Sequence, residues 1–118
     1  MQETAVRFAI CDDDKTYAEK MKALILQTFQ LPQPVECVIY LNQEQILKCY
    51  REDKIDIVFM DIEFGDTIGF QVARRLSRQD SQLAVVYMTN YEHYITEAFV
   101  CRPLGFIRKS HAEDDLQI

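Results

Sequence analysis

The stretch 57–70, IVFMDIEFGDTIGF, determines how the rest of the chain is interpreted. Its first four residues are apolar and favour a β-strand, and the carboxylate of Asp61 follows them directly. A buried charge is costly unless it is paired, bound to a metal ion or held at a surface edge, so we expect Asp61 to meet such a partner where the strand ends. Gly65 and Gly69 follow, and we interpret both as turn residues that need an unusual φ before a helix begins.

Length and composition indicate one soluble domain. The 118 residues are 48% apolar and 27% charged, and the net charge is −6. This acidic balance argues against direct contact with nucleic acid, because neutralising phosphate charge dominates such binding. No membrane span or secretory signal is recognisable, and we expect a cytoplasmic protein with reduced, mostly buried cysteines. The four cysteines are Cys11, Cys37, Cys49 and Cys101.

Apolar runs alternate with amphipathic stretches along the whole chain. The runs predict strands over residues 6–11, 35–41, 55–60, 83–88 and 104–108. Helices are predicted over residues 15–30, 42–52, around 70–76, over 91–100, and after a capping box formed by Ser110 and Glu113. Uninterrupted apolar strands are typical of a parallel sheet covered on both faces, so we predict an α/β fold, a (βα)5 doubly wound sheet in the order 2-1-3-4-5. The last helix stops abruptly at residue 118, which suggests a single domain over 1–118 from which a C-terminal partner has been removed.

Polar residues follow the strands of this sheet. In chain order they are Asp12 and Asp13, Asp61, Thr89 and Lys109. The carboxyl ends of parallel strands share one edge, where such folds bind ligands. Crowded carboxylates need a cation, and oxygen ligands suit Mg2+ or Mn2+. We therefore predict Asp12 and Asp13 as metal ligands, Asp61 as a nucleophile toward phosphorus, and Lys109 and Thr89 as groups that stabilise the phosphoryl oxygens.

Four segments in this order, FAICDDD, IVFMDIEFGDTIGF, VVYMTNY and GFIRKS, resemble the receiver domains of two-component response regulators. The segments ICDDD, MTNYEHYITEAF and FIRKS are most similar to those of receivers in LytTR-type regulators, the AgrA-like and VirR-like proteins. The resemblance implies that Asp61 accepts a phosphoryl group from a phosphohistidine of a sensor histidine kinase. It also implies that Asp61 and the backbone carbonyl of Glu63 complete the magnesium site, that Thr89 swings toward the phosphoryl group, and that Phe106 turns inward with it.

The same resemblance implies a C-terminal DNA-binding domain in the full-length protein. It places dimerisation or effector contacts on the surface formed by the fourth helix, the fifth strand and the last helix. Two positions depart from the family pattern, since Ser110 replaces the usual proline after the lysine and Asn90 replaces a small residue after Thr89. We expect Asn90 and Glu63 to set the dephosphorylation rate.

Other functions remain open at this stage. A haloacid-dehalogenase-type phosphatase also uses an aspartate nucleophile and Mg2+, but it needs a second aspartate where this chain has Glu63, and a cap domain. A flavin carrier needs a phosphate-binding loop after the first strand, where Asp12 to Lys15 would repel phosphate. The chain could also be a receiver-like interaction module that is not controlled by phosphorylation. Among single residues, Asp14 is interpreted as a charge at a helix N-terminus, and His93 and His111 as solvent-exposed.

Overall fold

The computed structural model describes residues 5–90 and 105–116. The strands are β1 (Val6–Cys11), β2 (Val35–Tyr40), β3 (Ile57–Asp61), β4 (Glu63–Phe64), β5 (Thr67–Ile68), β6 (Ala84–Thr89) and β7 (Gly105–Arg108). The helices are α1 (Lys15–Thr28), α2 (Gln43–Cys49), α3 (Gly69–Gln79) and, after a 3₁₀ turn (Lys109–His111), a final helix (Ala112–Leu116). No helix within these two ranges has the length and apolar character that crossing a bilayer requires.

Five strands form one parallel sheet in the order β2-β1-β3-β6-β7. Because β6 and β7 are the fourth and fifth strands of this sheet, the predicted order 2-1-3-4-5 is confirmed. The short strands β4 and β5 pair separately as an antiparallel hairpin, which the sequence pattern did not predict. The fourth predicted helix, residues 91–100, lies outside the described residues, as do His93 and Cys101.

Side chains alternate between the two faces of the sheet and build a core on each. Phe8 and Ile10 of β1 lie in the cluster that α1 and the final helix cover, whereas Ala9 and Cys11 lie in the cluster under α2 and α3. Because both faces are covered, ligands reach a sheet of this kind at the strand ends. All five strands run parallel, so their carboxyl ends meet at one edge.

Side-chain caps explain where two of the helices begin. The Asp14 carboxylate accepts a hydrogen bond from Tyr17 N at 3.1 Å, and the Asn42 side chain accepts one from Gln45 N at 3.0 Å. The cap at Asn42 confirms the predicted start of α2 at this residue; Asp14 was predicted only as a charge at a helix N-terminus, and the structure shows that it also caps α1.

Three predicted helix boundaries differ from the structure, and the first is the end of α1, at Thr28 rather than residue 30. Helix α2 ends at Cys49 rather than Glu52, because the chain turns through Lys54, whose φ of 53° lies in the left-handed region. Ser110 does not cap the final helix either, since it lies within the 3₁₀ turn and its Oγ is 2.8 Å from Nδ1 of His111. His111 itself is exposed, as expected.

Candidate functional site

Four strands deliver the predicted site residues to one edge of the sheet. Asp12 follows β1, Asp61 ends β3, Thr89 ends β6 and Lys109 follows β7. These side chains line a cleft of about 250 Å³. Three polar residues in it are almost fully buried: Asp12 is 0% exposed, Asp61 5% and Thr89 2%. Exposed Asp13 lines the same cleft, so the structure brings together all five residues that the sequence pattern grouped.

Lys109 joins two carboxylates at the centre of the cleft. Its Nζ lies 2.9 Å from Oδ2 of Asp61 and 2.6 Å from Oδ2 of Asp12. The sequence pattern places Lys109 and Asp61 at the same edge of the sheet, but it does not predict the contact of the lysine with Asp12. Only 9% of the lysine side chain is exposed, so these charges interact with little screening by water.

The environment shifts the ionisation of both partners. Burial raises the pKa of Asp61 to about 7, while the hydrogen bond and charge of Lys109 act in the opposite direction and the charge of Asp12 adds to the rise. For Lys109, burial alone would lower the pKa, but contacts with Asp12 and Asp61 outweigh it and raise the pKa from its usual value. The ammonium therefore stays charged, and the Asp61 carboxyl titrates near neutral pH when no metal is bound.

The acidic residues have the chemistry of a site for a hard divalent cation. Oxygen atoms of Asp12, Asp13 and Asp61 lie within 4.8 Å of one another. The buried Oδ2 of Asp12 has no hydrogen bond of good geometry, although Lys109 Nζ is close, so their contact is ionic and the oxygen keeps free coordination capacity. Three carboxylates outnumber the one ammonium, and oxygen-only ligands suit Mg2+ or Mn2+. The residues fit the predicted cation, and the Glu63 carbonyl stays a predicted ligand.

Backbone contacts hold the two buried carboxylates in place. The Asp12 Oδ1 atom accepts a hydrogen bond from Asp14 N at 2.9 Å, and the Asp61 Oδ1 atom accepts one from Glu63 N at 3.1 Å. Each carboxylate thus uses one oxygen for the following loop and turns the other toward Lys109. This division is a local consequence of a carboxylate placed directly at a strand end, where the next backbone N–H groups are free to bond.

The two glycines of the loop after β3 have different roles. Gly65 has a φ of +64°, which confirms the prediction of a turn glycine at this position. Gly69 has ordinary φ, and the expectation of an unusual one is wrong. A Cβ atom at Gly69 would lie 2.2 Å from the backbone oxygen of Asp61, so this glycine lets α3 approach the end of β3. Gly69 N also donates to the Ile62 carbonyl at 2.6 Å.

Thr89, which lines the cleft, and Phe106 lie on the last two strands of the sheet, β6 and β7. The ring of Phe106 is partly buried and stacks on Tyr87, with centroids 6.1 Å apart, and Tyr87 packs edge-on against Phe70 at 4.9 Å. Thr89 pairs in register with Arg108, the residue before Lys109. The aromatic row through Tyr87 was not foreseen, because the sequence shows Tyr87 only as one residue of an apolar strand.

Tyr17 is the contact that sequence reasoning missed at the lysine. The pattern showed it as an apolar-face residue of α1, yet its ring centroid lies 4.6 Å from Lys109 Nζ. Its hydroxyl lies 3.4 Å from the Lys109 carbonyl oxygen. The available signal was its place in the first turn of the helix that directly follows Asp12 and Asp13.

Comparison with known proteins identifies the family to which this chain is related. The protein-family model of the response regulator receiver domain matches residues 8–118 of this chain. The sensory transduction protein LytT of Bacillus anthracis is 29% identical over 111 residues, which are 92% of this chain and 43% of that protein. The sensory transduction protein LytR of Streptococcus mutans is 31% identical over 102 residues, covering 85% of this chain and 41% of that protein. The chain thus spans about two-fifths of the length of these relatives.

Solved structures share the fold at lower identity. The response regulator TrrA of Thermotoga maritima, determined in complex with Mg2+-BeF, superposes with a TM-score of 0.81 at 23% identity and covers 95% of this chain and 93% of that one. A response regulator receiver domain protein from Clostridium thermocellum gives a TM-score of 0.79 at 19% identity, over 94% of this chain and 87% of that one. Both likenesses concern the fold.

Proposed function

The chain belongs to the response regulator receiver domain family, and from the geometry of its site we propose that Asp61 is the residue that accepts the phosphoryl group. The observation that carries this proposal is the Asp61 carboxylate at the end of β3, held 2.9 Å from Lys109 and beside Asp12 and Asp13. A carboxylate in this position is within reach of a phosphorus atom that enters the cleft, and the cation-binding side chains surround it.

Each residue has a distinct part in the transfer. A carboxylate oxygen of Asp61 attacks the phosphorus of a phosphohistidine, the P–N bond breaks, and the imidazole leaves with its electron pair and takes up a proton. Lys109 moves its hydrogen bond from Asp61 to a phosphoryl oxygen, and the Thr89 hydroxyl donates to another. Asp12, Asp13, Asp61 and the carbonyl of Glu63 would hold Mg2+ or Mn2+, which would supply positive charge to the phosphoryl oxygens.

Phosphorylation by a small donor tests this assignment. The purified protein is incubated with acetyl phosphate and Mg2+ and then resolved by phosphate-affinity electrophoresis, alongside Asp61→Asn and the exposed hairpin control Asp66→Asn. We expect a retarded band for the wild type and for Asp66→Asn, none for Asp61→Asn, and none with EDTA. An absent band in every sample would indicate an interaction module outside phosphorylation control, and repeated turnover of small phosphate esters would indicate a phosphatase.

The metal assignment has its own test. Titration with Mn2+, followed by the loss of the free-ion electron paramagnetic resonance signal, measures binding without any phosphodonor. Asp13→Asn removes an exposed carboxylate whose loss does not disturb the core, so we expect at least tenfold weaker binding in a protein of unchanged stability. Equal affinity in the wild type and Asp13→Asn would remove Asp13 from the metal site.

The output of the switch extends beyond this domain. This chain spans about two-fifths of the length of its LytT and LytR relatives, which is consistent with a further domain in the full-length protein. We infer a histidine kinase as phosphodonor and a C-terminal DNA-binding domain as effector in a cytoplasmic regulator of this kind. We propose that β7 and the final helix form part of the surface that transmits the signal; the fourth helix predicted over residues 91–100 lies outside the described residues. Partly buried Phe106 stacks on Tyr87 beside Thr89, which supports its role as the aromatic that moves when Thr89 turns toward the phosphoryl group.

Dimerisation through this surface is a separate proposal with a separate measurement. Light scattering after size exclusion, with and without Mg2+ and beryllofluoride, reports the mass in both states. We expect the mass to increase with beryllofluoride in the wild type and not in Asp61→Asn. An unchanged monomer with a fully formed adduct would mean that the signal passes to an effector domain without dimerisation of the receiver.

A further inference from the structure

The surroundings of the Lys109 ammonium are only partly explained by its acidic partners. Two of its contacts go to the carboxylates of Asp12 and Asp61. The ammonium also lies over the ring of Tyr17, 4.6 Å from the centroid, within the range of a cation–π interaction. Only 9% of the lysine side chain is exposed, so this contact is largely shielded from water. Cation–π interactions are strongest when they are desolvated in this way.

Tyr17 contacts both ends of the same lysine. Besides the ring contact with Nζ, its hydroxyl donates a long hydrogen bond of 3.4 Å to the Lys109 carbonyl oxygen. Burial raises the pKa of Tyr17 to about 12, and the opposing charge of Lys109 does not cancel this rise, so the phenol keeps its proton at neutral pH. The side chain therefore remains a neutral ring and a hydrogen-bond donor under working conditions.

The backbone of Tyr17 is fixed relative to the acidic residues. Tyr17 N donates to the Asp14 carboxylate, and Asp14 N donates to the Asp12 carboxylate. These two hydrogen bonds join the first turn of α1 to the loop that carries Asp12. They do not involve Lys109, so the point from which the ring projects does not depend on the partners of the lysine.

We propose that Tyr17 is a positioning residue for Lys109, whose ring face holds the ammonium beside Asp61 while its hydrogen bond passes from the carboxylate to the phosphoryl group. The proposal rests on the proposed function. It assigns to Tyr17 a contribution to the rate of phosphorylation through Lys109. The phenol hydroxyl contributes little to that rate, since its bond to the backbone is long.

Two kinds of substitution separate this role from simple packing. Tyr17→Phe keeps the ring and removes the hydroxyl, whereas Tyr17→Leu and Tyr17→Met keep an apolar side chain and remove the ring. Leu24→Ala is the matched control, because Leu24 is also partly buried on α1 against the same core cluster. Circular dichroism and urea unfolding identify the variants that fold. If Tyr17→Leu does not fold, Tyr17→Met takes its place in the comparison.

The first readout is the phosphorylation rate as a function of acetyl phosphate concentration at saturating Mg2+. We expect Tyr17→Leu and Tyr17→Met to lower the maximal rate by about 5- to 30-fold with the half-saturating concentration unchanged, since the lost contact acts on the reacting geometry. Tyr17→Phe and Leu24→Ala are expected to stay within about twofold of the wild type. A wild-type maximal rate in Tyr17→Leu, or an equal loss in Tyr17→Phe, would overturn the proposal.

The second readout needs no phosphodonor and therefore separates this proposal from the proposed function. Ammonium groups of lysine give a 1H–15N signal only when their exchange with water is slow, and the Lys109 signal is identified by its loss in Lys109→Arg. We expect the signal in the wild type and Tyr17→Phe, and at least fivefold faster water exchange in Tyr17→Leu. Unchanged exchange in Tyr17→Leu would refute the positioning role, even if Asp61 proves to be the phosphoacceptor.

Discussion

Asp61→Asn is predicted to make the metal-free protein more stable at neutral and alkaline pH. The native pKa of Asp61 is about 7 against an ordinary value of 3.8, because burial and the charge of Asp12 outweigh Lys109 and the Glu63 amide. The folded protein therefore binds the proton of this carboxyl more tightly than the unfolded chain does. Its contribution to stability is present in full below about pH 4 and is lost as the pH rises to about 7.

The size of the effect follows from the shift. About three pKa units correspond to about 4 kcal/mol at 1.36 kcal/mol per unit, which is an upper value for a carboxylate coupled to Lys109. Asparagine has nearly the same shape and does not titrate. We expect Asp61→Asn and the wild type to have similar unfolding free energies near pH 4. At pH 8 the variant is expected to be more stable by about 2–4 kcal/mol.

Urea unfolding in EDTA between pH 4 and pH 8 measures this difference directly. Titrations of other groups are common to both proteins and cancel in the comparison, and Asp66→Asn controls for the removal of an exposed carboxylate. Saturating Mg2+ at pH 8 is expected to reverse the order, because the cation favours the ionised Asp61. A stability difference that does not change between pH 4 and pH 8 would refute the account of Asp61 as a carboxylate that is destabilising without metal.

Three further substitutions test how the fold positions the site. Gly69→Ala places a Cβ against the Asp61 backbone oxygen, so we expect the free energy of unfolding in urea to fall by about 1–3 kcal/mol and phosphorylation to slow. Wild-type stability and rate would mean that α3 moves freely. Asn42→Ala removes the cap of α2 and is expected to cost about 1 kcal/mol with no change in phosphorylation rate, and a changed rate would show that this helix affects the site. Asp115→Asn breaks the paired hydrogen bonds to Arg108, for an expected loss of about 1 kcal/mol at pH 7. Because the native pKa of Asp115 is lowered, this difference should shrink progressively as the pH falls below about 4, and a loss as large at pH 3 as at pH 7 would contradict the ionic cause.

The clustering of the residues at the strand ends was predictable because the sheet topology brings these ends together. A parallel order of apolar strands sends every carboxyl end to one edge, so Asp61 after β3 and Lys109 after β7 had to approach each other. Asp61 and Lys109 are 48 residues apart in sequence, and this spacing alone does not predict that they are close in space. The fold and the cluster therefore followed from the same observation, the alternation of apolar runs.

Contacts that depend on tertiary packing were not predictable in this way. Tyr17 and Lys109 are 92 residues apart, and their contact depends on how closely α1 packs beside the final helix and the turn that precedes it. The hairpin of β4 and β5 escaped notice because two-residue strands have no measurable alternation. The role of Gly69 was misjudged for a similar reason, since a close approach of α3 to β3 leaves no mark in a sequence beyond the glycine itself.

The site of covalent modification is the most direct test of the account. After incubation with acetyl phosphate and Mg2+, intact mass spectrometry gives the number of phosphoryl groups, and borohydride reduction converts an aspartyl phosphate to homoserine, which peptide mapping locates. We predict one hydroxylamine-labile phosphoryl group, dependent on Mg2+, and homoserine at position 61. Homoserine at another aspartate, or no modification in a protein that binds the metal, would contradict the claim that Asp61 is the phosphoacceptor.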